Sequence, residues 1–401
     1  MSTPALQIVA PNPRKHHAAM FDLIGKVFPN NGYYASRDWC RDYYVNHSHY
    51  DWQASRIGLL GDELVSHYGV WGYDMRIGSA VVRAGGIGAV ATHADYRKQG
   101  IMLQTAQAAV DAMRQRDYDM TLLFGIENFY HRFGYVRAWA ETTYHVNLPD
   151  LPTTPPPAVR AFTPTVRADI DAFHNRENAL ITGSAVRPTF RKKGFTFLPE
   201  HGFRWFTPEG AMSGYVCVAP QGAKLICTEC AGAADAVLQV VAHLARRFGC
   251  HEVEFSTLPY LSPVARSLRQ GSGHMDLQYR RHGGAMAHLL NLQSALEKLC
   301  GEFSRRLAAS PLAEWRGALR ITDPRHTVTL VIDHGDVWLD PGVETAHAIA
   351  GGEEMVLLLL GSDAPEEIVA SAGLRLAGDA ARLLPTLFPA QYPGLHYHDR
   401  Y

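Results

Sequence analysis

The sequence predicts an α/β protein built from more than one domain. Three observations support this prediction: the length of 401 residues, the alternation of strand-like with helix-like segments, and the proline-rich segment Pro149–Pro157. At about 150 residues per domain, the length suits two or three domains. Hydrophobic residues make up 47% and charged residues 19% of the chain. Both fractions match ordinary globular chains, which excludes a disordered or fibrous protein.

Alternating and periodic apolar residues predict the elements before Pro149. They are strands over 54–60 and 63–72, joined by a turn at Gly61-Asp62, a strand that runs into Val90, a helix after Gly100 and a strand over 119–125. In the helix, apolar residues recur every three or four positions. We therefore expect Leu103, Ala106, Val110 and Met113 to face the core.

The same order of elements recurs after the proline-rich linker, so the middle segment looks like a degenerate copy of the first. Its predicted elements are strands over 214–218 and 224–230, a helix over 235–248 that stops at Gly249, and a strand over 251–255. The third segment opens with a predicted helix over 292–307 and continues into a hairpin over 327–339. We place the domains at residues 1–148, 149–284 and 285–401.

The charge of the chain excludes a general affinity for polyanions. Lys and Arg number 38 against 39 Asp and Glu, a net charge of −1, so no overall field attracts nucleic acid or an anionic membrane. The apolar run Met355–Leu360 is too short to cross a bilayer and indicates a buried strand. A basic cluster over 14–17 follows a short apolar stretch, the reverse of a secretory signal. We expect a cytoplasmic protein without a nucleic-acid or membrane partner.

Four residues could be drawn as a zinc site: Cys227 and Cys230 in a C-x-x-C pair, then Cys250 and His251. No second C-x-x-C completes a tetrahedral set, and the segment that holds the pair alternates like a strand. We therefore expect these cysteines to be reduced packing residues and expect no metal.

A basic turn precedes the predicted helix of the first domain. Its residues are Arg97, Lys98, Gln99, Gly100, Ile101 and Met102. A helix N-terminus offers unpaired amides and a partial positive charge, and glycine lets a ligand approach the backbone closely. The turn is therefore a candidate pyrophosphate site. The alternative is a solvated turn at a helix start.

This stretch resembles a known family in two places. Arg97-x-x-Gly100-x-Met102 looks like the acetyl-CoA pyrophosphate loop of the GNAT acetyltransferase superfamily, Q/R-x-x-G-x-G/A, although Met102 departs from its small last residue. Downstream, Phe129–Tyr135 is similar to the Y-x-R-F-G-Y block of that superfamily. The layout of the whole chain resembles the enhanced intracellular survival (Eis) family. This implies an α/β (α+β) fold with two GNAT-like acetyltransferase domains, the second degenerate, and a C-terminal sterol-carrier-protein-like α+β domain.

The resemblance also implies acetyl-CoA as the cosubstrate. The residues that would bind it are Val90, Ala91 and Thr92, through their backbone, and the turn Arg97, Lys98, Gln99, Gly100, Ile101 and Met102. In the second copy, Cys230-Ala231-Gly232 precedes the helix without Arg or Lys. We therefore expect the second copy not to bind CoA.

Tyr130 matches the family's general acid, which protonates the departing CoA sulfur. A phenol with a pKa of about 10 is a workable donor to a thiolate whose conjugate acid has a pKa of about 8.5. His131 and Glu127 lie close by in the sequence and are the alternatives.

The family's general base is the carboxylate at the C-terminus of the chain, which here belongs to Tyr401. Such a carboxylate has an ordinary pKa of about 3.5, so it needs desolvation or a neutral amine as the acceptor. Asp399 and His398 are the second choices for this role.

Aromatic and acidic residues before the first hairpin have a composition suited to a cationic amine. Tyr34, Asp38 and Trp39 are the candidates for this acceptor site. The predicted function is acetyl transfer to a primary amine of the aminoglycoside, polyamine or lysine type, by a homo-oligomer that the resemblance suggests is a hexamer. The alternative is a non-enzymatic carrier that binds CoA and an acyl lipid.

Overall fold

The structure, a computed structural model, describes residues 4–30, 32–46, 48–126, 128–188 and 201–401. These residues form three β-sheets, each packed against helices. Strands and helices are numbered below in chain order.

The first sheet has the strand order β1-β2-β3-β4-β5-β14-β6. Its strands are β1 (Leu6–Val9), β2 (Arg56–Leu60), β3 (Glu63–Ile77), β4 (Ala80–Thr92), β5 (Met120–Ile126), β6 (Val136–Trp139) and β14 (His282–Leu289). Its helices are α1 (His17–Val27), α2 (Tyr33–Trp39), which continues as a π-helical turn over Cys40–Val45, and α3 (Ile101–Arg114). The strands and helix predicted for this part of the chain are confirmed.

One prediction for α3 is wrong. Leu103 is 38% exposed, whereas Met102, Ala106 and Val110 pack into the core. Leu103 lies about 100° around the helix from Met102, and the helix is turned so that Met102, not Leu103, faces the sheet.

The second sheet has the order β13-β7-β12-β11-β10-β9-β8. Its strands are β7 (Glu141–Asn147), β8 (Arg160–Ala161), β9 (His201–Phe206), β10 (Met212–Gln221), β11 (Lys224–Gly232), β12 (Glu252–Phe255) and β13 (His274–Gln278). Its helices are α4 (Arg167–Glu177), α5 (Ala234–Phe248) and α6 (Pro263–Gln270). The antiparallel pair β10–β11, then α5, then β12 parallel to β11 repeats the order β3–β4, α3, β5. Gly249 ends α5 with a left-handed φ of 69°.

The third sheet has the order β17-β16-β15-β18-β19. Its strands are β15 (Arg316–Thr322), β16 (Thr327–Asp333), β17 (Asp336–Leu339), β18 (Ala348–Ala350) and β19 (Arg375–Ala377). The helices are α7 (Leu292–Ala308), α8 (Met355–Leu360), α9 (Pro365–Ala372) and α10 (Ala380–Leu387).

The prediction of a strand over Met355–Leu360 is wrong, because this run forms helix α8. Five of its six residues are buried, so the run is apolar on almost every side. Periodicity cannot distinguish a short buried helix from a short buried strand. Gly361, at a left-handed φ of 60°, ends the helix.

The first two sheets exchange strands. β7 follows β6 in the chain, yet it pairs with β12 and β13 of the second sheet. β14 returns from the second part of the chain and inserts between β5 and β6. The strand pairing therefore crosses the limits at residues 148 and 284, which stay predictions as domain boundaries.

Cys227 and Cys230 are buried in β11, and all six cysteines of the chain are free thiols. Within the residues described, none of the helices combines the length and the apolar character that crossing a bilayer requires.

Candidate active site

A fork opens in the first sheet where β4 and β5 separate. The two parallel strands pair only from Ala84–Met120 to Gly86–Leu122, although β4 continues to Thr92 and β5 to Ile126. The strand segments beyond Gly86 and Leu122 have lost their mutual hydrogen bonds. Apart from the carbonyls of Ala89 and Thr92, which accept side-chain hydrogen bonds, backbone groups along the fork can bind an extended ligand.

A β-bulge in β4 accompanies this separation. Between the pairs His67–Ala91 and Gly69–Gly88, β4 contributes two residues against the single Tyr68 of β3. Ala89 has a left-handed φ of 48°, and its carbonyl accepts a 2.7 Å hydrogen bond from Nδ1 of His67. Such a bulge bends a strand and redirects the groups that follow it, here the predicted cosubstrate-binding residues Val90, Ala91 and Thr92.

His67 is fully buried, and burial lowers the pKa of its imidazole to about 4. Because the neutral ring donates through Nδ1, its Nε2 accepts the 2.7 Å hydrogen bond from the Tyr50 hydroxyl. Nothing in the sequence singled out this histidine, since it occupies an ordinary position in an apolar strand.

The predicted pyrophosphate turn lies at the N-terminus of α3. Arg97, Lys98, Gln99 and Gly100 are exposed, and Gly100 adopts a left-handed φ of 77° with nothing within 4 Å of the position a Cβ would take. Among the residues described, no side chain caps α3 and no acidic residue lies in its first turn. The amides of Ile101 and the residues after it, with two cations beside them, are thus open to an anion.

The second copy differs at the N-terminus of α5, the helix that corresponds to α3. Ala233 occupies the N-cap position of α5 and makes no side-chain hydrogen bond there, and Asp235 lies in the first turn. A carboxylate at a helix N-terminus opposes anion binding. This agrees with the expectation that the second copy does not bind CoA.

Tyr130 lies on the β5 side of the fork, in a 3₁₀ turn over Tyr130–Phe133. Its ring covers Gly125 so closely that a Cβ there would overlap it. Burial raises the pKa of the Tyr130 phenol to about 12. The phenol therefore stays protonated at neutral pH, as a general acid must.

Tyr401 lies on the β4 side of the same fork. Its ring covers Gly86, the last β4 residue paired with β5, so closely that a Cβ there would overlap the ring. Ring centroids of Tyr73 and Phe124 each lie 5.9 Å from that of Tyr401. The last residue of the chain is thus placed at the point where the two strands separate.

The described alternatives for the acid and the base each have a polar partner of their own. Asp399 is 2% exposed and paired with Arg187 at 2.9 Å, and Nε2 of His398 lies 3.2 Å from the Thr228 hydroxyl in the second sheet. His131 directs Nδ1 toward the backbone carbonyl of Tyr135, at 3.1 Å. Glu127 lies outside the described residues.

The predicted acceptor residues are only partly brought to the fork. Trp39 stacks on Tyr44 at 5.2 Å between ring centroids, and the Tyr44 hydroxyl lies against Gly88 beside the bulge. Tyr34 is 70% exposed. Asp38 is paired with two arginines, at 2.9 and 3.1 Å, so its charge is largely offset.

Comparisons with known proteins concern the first part of the chain and the fold of the whole. Residues 11–138 match the family model described as an acetyltransferase (GNAT) domain. No curated protein matches the chain in sequence. The fold of the whole chain is similar to several solved structures.

One is a protein from Enterococcus faecalis V583 described as a probable N-acyltransferase, with 17% identity and a TM-score of 0.75 over 99% of this chain and 100% of that one. Another is a GCN5-related N-acetyltransferase from Kribbella flavida, with 19% identity and a TM-score of 0.75 over 100% and 99%. A third is Eis1 from Mycobacterium abscessus, with 16% identity and a TM-score of 0.67 over 96% and 97%.

The first part of the chain is therefore a GNAT acetyltransferase domain, as the two motifs predict. The fold of the chain is that of Eis1, since the likeness covers 96% of this chain and 97% of that one. Acyl-CoA is the cosubstrate that this fold class implies.

Proposed function

We propose that the protein transfers the acetyl group of acetyl-CoA to a primary amine, with Tyr130 as general acid and the C-terminal carboxylate of Tyr401 as general base. The observation that supports this is the placement of the two residues on opposite strands of one fork, over Gly125 and Gly86. In sequence they are separated by most of the chain.

Each residue has a defined task in the proposed reaction. The backbone amides of Val90–Thr92, at the bulge and just after it, hold the thioester oxygen, on which negative charge develops. The Tyr401 carboxylate accepts, through a water molecule, the proton that the amine loses as its nitrogen bonds to the acetyl carbon. Tyr130 donates its proton to the sulfur as the carbon–sulfur bond breaks, and free CoA and an amide result.

The pKa values of the proposed base, the C-terminal carboxylate, and of the proposed acid, the Tyr130 phenol, set limits on this mechanism. A carboxylate of ordinary pKa, about 3.5, cannot take a proton from a bulk alkylammonium ion of pKa near about 10, so the neutral amine must be selected. The burial that raises the pKa of Tyr130 to about 12 makes it a weaker acid. The same surroundings would also raise the basicity of the leaving thiolate.

We propose an amine of the aminoglycoside, polyamine or lysine type as the acceptor. The stacked rings of Trp39 and Tyr44 support an approach from the α2 side, because aromatic faces attract organic cations. Tyr34 and Asp38 stay predictions for this site. A cytoplasmic homo-oligomer, a hexamer by the family resemblance, without nucleic-acid or membrane partners also stays a prediction.

The packing of the third sheet gives no support to the carrier alternative. Leu319, Ile321 and Leu330 are fully buried in the cluster that contains Phe303 and Leu307 of α7. The space between sheet and helix is thus filled by side chains. The sterol-carrier likeness of this domain stays a prediction.

A glycine appended after Tyr401 tests the proposed base. It moves the terminal carboxylate by one residue, about 3.5 Å, and should lower kcat about 100-fold because a general base contributes roughly that factor. Release of CoA thiol with a polyamine or an aminoglycoside measures the rate. The matched control is Tyr401→Phe, which keeps both the ring and the carboxylate and should retain most of the activity.

Calorimetric titration with CoA accompanies this assay and should give equal affinities for the extended and original chains. Full turnover by the extended chain would overturn the role of the carboxylate. Bound lipid together with no transfer to any amine tested would favour the carrier.

A further inference from the structure

The second sheet contains a fork of its own. β11 and β12 pair in parallel from Lys224–Glu252 to Cys227–Phe255. β11 then continues to Gly232, and this last segment is not paired with β12. This is the counterpart of the place where β4 and β5 separate. In the second sheet the opening is filled by the chain itself.

The occupant is the C-terminal tail, defined here as residues 396–401. Its 3₁₀ turn over Tyr397–Asp399 packs beside β11, with Nε2 of His398 3.2 Å from the Thr228 hydroxyl. His396 is 4% exposed and lines one small cleft with residues 230–232, the segment that precedes α5. The tail thus lies where the matching part of the first domain is open.

A buried arginine fastens the tail there. The Arg187 guanidinium donates two hydrogen bonds to Glu229 of β11, at 2.8 and 2.7 Å. It also donates to Asp399 of the tail, from Nε at 2.9 Å and from Nη2 at 2.9 Å. The Tyr215 hydroxyl donates a further 2.5 Å hydrogen bond to Glu229.

The three charged side chains of this cluster stabilise one another. Those of Arg187, Glu229 and Asp399 are no more than 3% exposed, and the guanidinium holds the pKa of the Glu229 carboxyl well below its usual range. Removal of one partner from a buried ion pair leaves an uncompensated charge, which is strongly destabilising. Among the described residues, His174, Glu229 and Asp399 are spaced to hold a metal, but Arg187 already supplies the positive charge between the two carboxylates.

The anchor lies two residues from the end of the chain. Two residues span at most about 7 Å, so a fixed Asp399 restricts where Tyr401 can lie. Arg400 adds a second attachment, because it pairs with Glu141 at 2.7 Å and its guanidinium lies 4.5 Å from the ring centroid of Phe124 in β5. The tail therefore runs from the second fork to the first.

We infer that Arg187 is a positioning residue, which holds Asp399 in the second fork so that the carboxylate of Tyr401 stays at the first. The degenerate domain then serves as the anchor of the catalytic end of the chain. The consequence for turnover rests on the proposed function, whereas the attachment of the tail does not.

The test uses the full chain with Asp399→Asn, which keeps the shape of the side chain and leaves Arg187 paired with Glu229. Arg187→Met is the second variant. Arg204→Met is the matched control, because Arg204 pairs with Asp169 in the same part of the chain. Carboxypeptidase release of Tyr401 and steady-state kinetics are measured for all four proteins, with melting curves to verify folding.

We expect Tyr401 to be released at least about tenfold faster from Asp399→Asn than from the original chain or the control, because local opening exposes the tail. We expect kcat to fall about 100-fold, the size of effect that a displacement of about 1 Å produces, with the KM for acetyl-CoA unchanged. A general loss of structure would instead move KM and the melting curve together.

Release of Tyr401 from Asp399→Asn at the original rate would overturn the inference, as would an unchanged kcat in that variant. If the original chain showed no transfer at all, the proposed function would fail. The release assay would then still decide whether Arg187 and Asp399 hold the tail.

Discussion

In the proposed mechanism, Tyr130 must stay protonated until the sulfur departs. Its ring lies against Phe129 and Gly125, and the resulting burial raises the pKa to about 12. This value secures the protonated state but reduces the driving force for proton transfer. The residue therefore works only beside a leaving group that shares its buried surroundings.

Replacement of this acid gives a direct prediction. Tyr130→Phe should lower kcat about 100-fold, the usual contribution of a general acid, and leave the calorimetric affinity for CoA unchanged. For the original protein, kcat should rise with pH as the amine loses its proton. No decrease in kcat is expected at any pH up to about 10, since the acid has a pKa of about 12. A descending limb near neutral pH would contradict the assignment of Tyr130.

The residues of the candidate site, and Arg187 and His67 beside them, differ in how far the sequence could reveal them. The turn Arg97–Met102 and Tyr130 lie in short motifs, so local sequence was enough. Tyr401 was found through its family resemblance, and only the structure shows its ring over Gly86. Arg187 and His67 carried no signal, because their roles arise from contacts with Asp399 and Ala89, which are distant in the chain.

At the scale of elements, the N-terminus of α3 combines free amides with exposed cations. Gly100 adopts a left-handed φ of 77° as the helix begins, and Arg97 is held in place by a 3.3 Å hydrogen bond from its Nε to the Thr92 carbonyl. This hydrogen bond links the turn before the helix to the end of β4.

Charge reversal at this turn should affect only ligands that carry the diphosphate. The double variant Arg97→Glu, Lys98→Glu should raise the KM for acetyl-CoA at least about tenfold. Two positive charges that attract the diphosphate are replaced by two negative charges that repel it. With acetyl-pantetheine, which lacks the diphosphate, variant and original should have similar kcat/KM. Equal losses with both substrates would show that the turn does not bind the diphosphate.

The element predictions succeeded where periodicity is local and failed where packing decides. The pattern of β3, β4, α3 and β5 was sufficient to predict each of them. The run Met355–Leu360 is buried on nearly all sides, so its period was hidden and it formed helix α8. Leu103 shows that the direction a helix faces depends on its neighbours, which no single segment specifies.

At the scale of the whole molecule, three buried histidines make the fold sensitive to acid. Burial lowers the pKa of His67 and His288 to about 4 and that of His396 to about 3. In the unfolded chain a histidine has a pKa of about 6.5. Between these values the unfolded state binds protons that the folded state does not.

The contribution of these histidines to the free energy of unfolding should therefore be nearly constant above about pH 6.5 and decrease as the pH falls toward 4, by up to about 1.4 kcal/mol per pH unit for each histidine. Urea titrations at pH 8, 6.5 and 5 measure this change. His288→Gln should show a shallower dependence, since one of the three groups is removed. Equal stabilities at pH 8 and 5 would contradict the prediction.

The exchange of strands between the first two sheets could not be predicted. The hydrophobic pattern marks each strand but does not state its neighbour, and β14 pairs with β5 across a long stretch of chain. The length and the linker indicated separate modules, whereas the pairing of β7 and β14 joins them.

That pairing has a consequence for synthesis. While the ribosome is still producing the middle of the chain, β5 and β6 of the transferase domain have no strand between them, because β14 is supplied only by residues 282–289. The edges of β5 and β6 stay uncovered until then. The first sheet is thus completed only after the strands β8 to β13 of the second sheet have been made, and a gene fragment that ends before β14 encodes a first sheet without its strand between β5 and β6.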